Sequence, residues 1–300
     1  MEFCIRKVLI GFLGLAGSLI LPSIHSGQSG PLEQRIISQE QTDVCQEPEM
    51  EEISLGLFYR EYAMPQKSIV GDSKLIVLKA NPKFYELKSL MRSETNEFIP
   101  IESWVRKYNL VAAINGGMFM QDFRTHCGYS RNGKHINNPN LVRNSRYNSI
   151  LVFDPSDPSL PATRILDLEK ADLNKLRKEY RVISQNMQMV DSNGKNRWGR
   201  GRKIYSESAL GIDKDGNILF FFSKSPYSPH DFNEAVLVLQ PSIRGLIHCE
   251  GGPEASLSIN AGRIQRDEVG SYETGFNENN NNFLLWPVPN IFGLTKRENK

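Results

Sequence analysis

The stretch Ile247-His248-Cys249-Glu250-Gly251-Gly252-Pro253-Glu254-Ala255-Ser256-Leu257-Ser258-Ile259 decides how this chain is read. An apolar approach ends in an acidic residue, two glycines and a proline, and then an alternating strand pattern begins. Glycines at such a corner admit backbone torsions that other residues avoid, and they clear space for a ligand. A carboxylate at the rim of that corner is placed for chemistry. The same residues also suit a tight hairpin with a solvated acid, because Gly and Pro mark turns generally. A second stretch, Val111-Ala112-Ala113-Ile114-Asn115-Gly116-Gly117-Met118-Phe119, is a short apolar run that stops in the same way. Short apolar runs bounded by turn residues read as buried strands. Two buried strands ending in polar-Gly-Gly corners bring functional groups together at one end of a sheet.

Outward from these corners, Ser54 to Tyr62, Lys74 to Ala80, Ile150 to Phe153, Val182–Ile183, Ala209 to Asp213 and Ile218 to Ser223 read as strands. Lys214-Asp215-Gly216-Asn217 joins the last two as a hairpin, and Phe283–Trp286 is expected to add a late strand. Helices are expected over Ile101–Tyr108, after Pro100, over Ala171–Tyr180, and from Asp231 as cap through Gln240. Asn115 to Asn148 reads as a long irregular stretch, which inside a domain is usually functional. The expected class is α+β: mainly antiparallel mixed sheets with a few flanking helices in a single domain.

Together the two corners resemble the phosphodiester glycosidase family, and most nearly its bacterial secreted branch, related to the animal enzyme that uncovers mannose 6-phosphate. The resemblance runs from about Ile53 to about Pro287. Asn115-Gly116-Gly117-Met118-Phe119 is similar to that family's Asn-Gly/Ala-Gly-Met/Tyr-Phe motif. Gly128-Tyr129, Asn132-Gly133-Lys134, Tyr147-Asn148-Ser149, Ser184-Gln185-Asn186, Ser208-Ala209-Leu210-Gly211-Ile212, Ser223 and Asp231-Phe232 resemble later segments. Glu250 to Leu257 resembles Asp-Gly-Gly-x-x-Ala-Ser-Leu, with Glu250 where the family usually has Asp. The longer side chain displaces the carboxylate by about one methylene, and errors of about 1 Å can lower rates roughly 100-fold.

The resemblance implies an exported hydrolase acting on a sugar-1-phosphodiester, with a carbohydrate or sugar-phosphate polymer as partner. Glu250 is expected to be the essential acid, as base or nucleophile, and Asn115 to orient the sugar or attacking water. For Asn115 the alternative is a residue that satisfies the glycine turn. The matched residues Gly116, Gly117, Phe119, Gly251, Gly252 and Ser256, with Gln185 and Ser208, are expected to line the pocket. A phosphodiester leaves as a stable anion, so contacts to phosphate matter more than a strong general acid. Arg124 and Lys134, in the irregular stretch, are the candidates for that contact, and His230 is a candidate for proton transfer. The competing class is a non-catalytic envelope glycan-binding protein, and a second rival is a glycosidase or lyase acting on substrates without phosphate.

His126-Cys127 and His248-Cys249 suggest zinc, but adjacent residues in an extended chain point opposite ways. No metal or other cofactor is expected, with a weakly bound calcium ion near the carboxylates left open. If the two corners converge, Cys127 and Cys249 lie close enough for a disulfide; the alternative is two buried thiols. Cys45 is expected to be free or intermolecular.

The 300 residues are 39% apolar with a net charge of +2, enough for one sizeable core and too little charge to imply nucleic acid as a partner. Arg6 and Lys7, the apolar Val8–Leu21 and the small residues Ser23 to Gly27 follow the secretory layout. The organisation expected is a signal peptide over 1–26, a flexible linker over 27–52, the domain over 53–290 and a polar tail over 291–300. The expected location is secreted or periplasmic, with no membrane contact after cleavage; an anchor over residues 8–24 is the alternative. N-terminal sequencing of protein from the native host should start between about Gly27 and Pro31; intact Met1 in a membrane fraction would establish the anchor.

Overall fold

In Ile218-Leu219-Phe220-Phe221-Phe222 every side chain is buried, which a strand achieves only when both faces of its sheet are covered. The computed structural model, which describes residues 49–298, shows how. Even-numbered residues of this strand and its neighbours (Ile76, Leu78, Leu210, Phe220, Phe222) enter one core. Odd-numbered ones (Leu75, Val77, Ala209, Leu219, Phe221) enter another. The expected signal peptide, Cys4, Cys45 and the expected linker up to residue 48 lie outside the described residues.

The strand belongs to a seven-stranded sheet in the order Glu51–Ser54, Leu57–Ala63, Lys74–Ala80, Ile218–Tyr227, Tyr205–Asp213, Ile243–Gly251, Gln188–Val190. A second sheet runs Thr163–Asp167, Ser149–Pro155, Tyr180–Asn186, Ser130–Asn132, His135–Asn138. The third runs Ile264–Val269, Ser256–Ala261, Ala112–Asn115, Asn290–Lys296, Tyr85–Met91. Every pairing among the described residues is antiparallel, so the α+β, mainly antiparallel expectation holds. All three sheets contribute to the first core, through Leu151 and Val182 of the second and Ile114, Leu257 and Phe292 of the third.

Each sheet is also covered on its other face by a short helix. Pro229–Leu239 places Phe232 and Val236 on the first sheet, and Leu173–Glu179 places Leu176 on the second. Ile101–Lys107 places Trp104 and Val105 on the third. No helix among the described residues is long and apolar enough to cross a membrane.

Several expectations need correction. Residues 291–300 are not a polar tail: Asn290–Lys296 is an interior strand of the third sheet, with Ile291, Phe292 and Leu294 buried. Its alternation was hidden by shortness and by Gly293. The linker ends earlier than 52, because Glu51–Ser54 already pairs with Leu57–Ala63. Phe283–Trp286 is not a strand; Phe283 and Leu284 stand exposed. The helix begins at Pro229 rather than being capped by Asp231. Ser228 is the cap, its hydroxyl accepting from the Asp231 amide at 3.1 Å. The stretch 115–148 contains a hairpin, Ser130–Asn132 with His135–Asn138. The Asp213–Asn217 hairpin forms as expected, with Gly216 at φ +81° and its amide on the Asp213 carbonyl.

Phe292 tests the last strand. Phe292→Ala should cost about 3–5 kcal/mol, lowering Tm by on the order of 10 °C for a chain of this size, whereas Leu284→Ala should change Tm little. Calorimetry on both variants checks the contrast.

Candidate active site

Two chain crossings make the site. The Ile243–Gly251 strand leaves the first sheet through a single turn, Gly252–Glu254, and becomes Ser256–Ala261 of the third. Tyr180–Asn186 of the second sheet continues through Met187 into Gln188–Val190 at the edge of the first. The crossings touch where the His248 amide donates to the Met187 carbonyl at 3.1 Å. All three sheets therefore meet at this rim.

The side chain of Asn115, which ends the middle strand of the third sheet, ties the rim together. Its Oδ1 accepts from the Ser256 amide (2.7 Å) and the Ser208 hydroxyl (3.0 Å). Its Nδ2 donates to the Glu254 carbonyl at 2.9 Å. These bonds hold Asn115 to the turn, with Ser208 and Ser256 as its partners. Gln185 is likewise part of the frame. Its Nε2 donates to the Val142 and Tyr147 carbonyls at 2.6 and 2.7 Å. Its Oε1 accepts from the Val142 and Tyr129 amides, so its polar atoms hold the 129–147 segment to the second sheet and are not available to a ligand.

A β-bulge sorts the residues before the turn. Ala209 faces His248 and Ser208 faces Glu250, so Cys249 is the extra residue. Cys249 enters the main core as a free thiol, and burial pushes its pKa up. Cys127 is disulfide-bonded, but not to Cys249. The expected bridge fails because the bulge turns Cys249 into the apolar interior. Cys45 lies outside the described residues.

Glu250 is 4% exposed, and its Oε1 accepts from the Gly251 amide at 3.0 Å. Glu207, opposite Gly251, is 1% exposed and accepts from or shares a proton with His248 Nδ1 at 2.5 Å. Burial raises the pKa of Glu207, while the imidazole pulls the other way. Tyr205 packs edge-on to His248, at 6.1 Å between ring centres. Its phenol is pushed well up by burial, then by the charges of Glu207, Glu273 and Glu250, with Arg146 opposing. Tyr147 is raised by burial and by Glu250. Trp198 lies 6.5 Å from the His248 ring, and Arg146 stacks over Trp198 at 5.3 Å. A Cβ at Gly252 (φ +70°) would lie 2.6 Å from Glu273 Oε2, so this turn accepts only glycine beside that carboxylate. Three carboxylates, an imidazole and three aromatic rings thus cluster around one corner. This is the chemistry of proton transfer and of stabilising a developing positive charge.

The profile of the phosphodiester glycosidase family matches residues 108–295. The chain belongs to the phosphodiester glycosidase family. The fold agrees. Zebrafish N-acetylglucosamine-1-phosphodiester alpha-N-acetylglucosaminidase, whose catalytic domain is described as auto-inhibited by its pro-peptide, superposes with a TM-score of 0.52. It shares 14% identity, covering 84% of this chain and 87% of that one. A hypothetical protein from Synechocystis gives a TM-score of 0.51 at 12% identity, covering 81% of this chain and 63% of that one. No curated protein matches.

Of the residues expected from the family motifs, Glu250, Gly251 and Gly252 stand at the corner itself. Gly117 (φ +99°) abuts His126 and Asn186, where a Cβ would collide with both. His126 is buried, its pKa lowered by desolvation, with Nδ1 at the Gly128 backbone and Nε2 3.3 Å from Asn186 Oδ1. Phe119 pairs with His126 through a backbone bridge and packs on Phe123. The residues expected to contact phosphate are both in the 115–148 stretch. Arg124 donates to the Ser93 carbonyl, and Lys134 is exposed at the turn of the 130–138 hairpin. His230 opens the Pro229–Leu239 helix beside Asp231. Sequence reading missed Glu207, Tyr205, Trp198, Arg146 and Glu273. Only Tyr205 and Glu207 carried a signal, as alternate residues on one face of a strand.

Replacing Asn115 tests the knot. Asn115→Ala strips buried partners from Ser208, the Ser256 amide and the Glu254 carbonyl, and unmet buried groups cost about 1–3 kcal/mol each. Tm should fall clearly, and turnover should fall further than stability explains because the Glu250 corner loosens. Unchanged Tm would mean the knot carries no load.

Proposed function

We propose that this chain is an exported hydrolase cleaving a sugar-1-phosphodiester, with Glu250 as its essential acid. The observation that carries this reading is the Glu250 carboxylate, nearly buried at the corner where the three sheets meet, in a chain belonging to the phosphodiester glycosidase family. In the proposed reaction the bond from the anomeric carbon to the phosphate oxygen breaks. Water supplies the hydroxyl to carbon, its proton goes to a base, and the phosphomonoester departs as a stable anion. Glu250 acts either as the nucleophile at the anomeric carbon or as the group that stabilises its positive charge. Water is the only co-reactant, and the reading calls on no cofactor.

Arg146 takes over the phosphate role first considered for Arg124 and Lys134. It is exposed, stacked on Trp198, and its charge is felt at Tyr205 beside the carboxylates. Asn115 serves by holding the corner rather than by contacting the sugar. Export rests on the secretory layout of the N-terminus.

The test is turnover of a chromogenic sugar-1-phosphodiester by purified protein. Glu250→Gln should keep a normal melting curve and lose on the order of 100-fold or more in turnover. Glu250→Asp, which restores the residue common in the family, should match or exceed the parent. Near-parental turnover in the Gln variant would remove Glu250 from the mechanism. If neither parent nor Asp variant cleaves any such substrate, the glycan-binding reading replaces this one.

A further inference from the structure

No large apolar side chain among the described residues is more exposed than Phe283 and Leu284, at 79% and 71%. The backbone just before them is nevertheless held firmly, because every polar group of Asn282 is engaged. Its amide donates to the Ser271 hydroxyl at 3.0 Å. Its side-chain nitrogen donates to the Gly270 carbonyl at 2.8 Å and to the Pro253 carbonyl at 3.5 Å. Its side-chain oxygen accepts from the Leu284 amide, and its carbonyl accepts from the Lys224 ammonium at 2.7 Å. The same ammonium stands 4.1 Å from the centre of the Phe283 ring, a cation–π contact. An aromatic ring stabilises a fold by being buried. A ring pinned in place while its surface stays in water is built for a partner.

Phe283 also lines a cleft of about 260 Å³, together with Ile76 and Phe222 from the main core. Lys74 and Lys224 come to it from the first sheet, and Arg266 and Glu268 from Ile264–Val269, an edge strand of the third. Its charges are balanced. Three cations, Lys74, Lys224 and Arg266, meet the acids Asp72 and Glu268, and Glu61 pairs with both Lys74 (3.1 Å) and Arg266. Arg266 is paired with Glu268 as well. Desolvation lowers the pKa of Lys224, while the Glu268 and Asp72 charges oppose the shift. A cleft balanced in this way has little net attraction for a phosphate or another strong anion. It offers donors and acceptors side by side, around apolar and aromatic surface.

We propose that this cleft is a carbohydrate-binding subsite that takes one neutral sugar ring against Phe283. A pyranose matches it on both counts. Its face of C–H groups is apolar and stacks on an aromatic ring, and each hydroxyl on its rim both donates and accepts. Clefts for drug-sized ligands start at about 300 Å³, so this one suits a single ring rather than an oligomer. The subsite is separate from the Glu250 corner, yet the loop that carries Phe283 is tied to the Gly252–Glu254 turn through Asn282 and Pro253. Binding here does not depend on turnover at Glu250.

The test follows amide NMR shifts of isotope-labelled protein as methyl glycosides of glucose, mannose, galactose and N-acetylglucosamine are added singly. At least one should move the amides of Ser225, Phe283 and Leu284, and Glu250→Gln should respond as the parent does. Phe283→Ala should weaken that binding by on the order of 10-fold with Tm unchanged, since the ring is exposed. Phe283→Leu, apolar but without a ring face, should bind as poorly as the Ala variant, and Phe283→Tyr as well as the parent. No glycoside moving these amides, or shifts confined to Gly251 and Ala255 at the Glu250 corner, would overturn the proposal. So would an Ala or Leu variant that binds like the parent. Shifts with inorganic phosphate but no glycoside would make the cleft an anion site instead. Shifts with protein concentration alone would make the patch an interface between copies. Binding at the cleft by protein that cleaves no sugar-1-phosphodiester would uphold the subsite and sink only the hydrolase reading.

Discussion

The candidate site depends on one side chain that ties three segments together. The Asn115 amide gathers a serine hydroxyl from the first sheet, a backbone amide from the start of a third-sheet strand, and the carbonyl of the turn between them. An amide suits the task because one end accepts several bonds while the other donates. A carboxylate would repel the Glu254 carbonyl, and an apolar residue would orphan each partner. With the knot tied, the Gly251–Ala255 crossing is pinned at both ends, and Glu250 is carried by backbone that has little freedom.

Around that knot the bulge at Cys249 divides two environments. On one side the thiol joins Ile247, Leu257 and Phe292 in a dry core. On the other, Glu207, His248 and Tyr205 share a space where charges are poorly screened, so the Glu207 charge raises the Tyr205 pKa and the imidazole opposes the rise at Glu207. One inserted residue is enough, because strand faces alternate with a period of two and a single extra position exchanges the two faces beyond it. The same insertion turns the thiol into the apolar core, where burial and then the Glu207 and Glu250 charges raise its pKa.

Much of the framework was legible in the chain. The two polar-Gly-Gly corners, Lys74–Ala80, the helix after Pro100 and the Asp213–Asn217 hairpin all arise from local patterns, and each forms near its expected place. Glu250 stands at the corner as its motif suggested. Polarity and brevity misled elsewhere: Asn290–Lys296 looked like the beginning of a tail, and Phe283–Trp286 looked like a strand although no strand among the described residues pairs with it. Arg124 and Lys134 were attractive for their position after Asn115, yet a hairpin carries Lys134 outward and Arg124 is drawn to the Ser93 carbonyl.

By itself, then, the sequence determined where strands and turns begin, because alternation, glycine torsions and capping act within a few residues. The tertiary structure alone decided which atoms meet. Asn115 finds Ser208 across 93 positions, and Glu207 finds His248 across 41. Cys249 loses its expected partner to a one-residue bulge. These outcomes hang on sheet crossings and register, and a hydrophobic pattern of period two names the face of a strand without naming its neighbour.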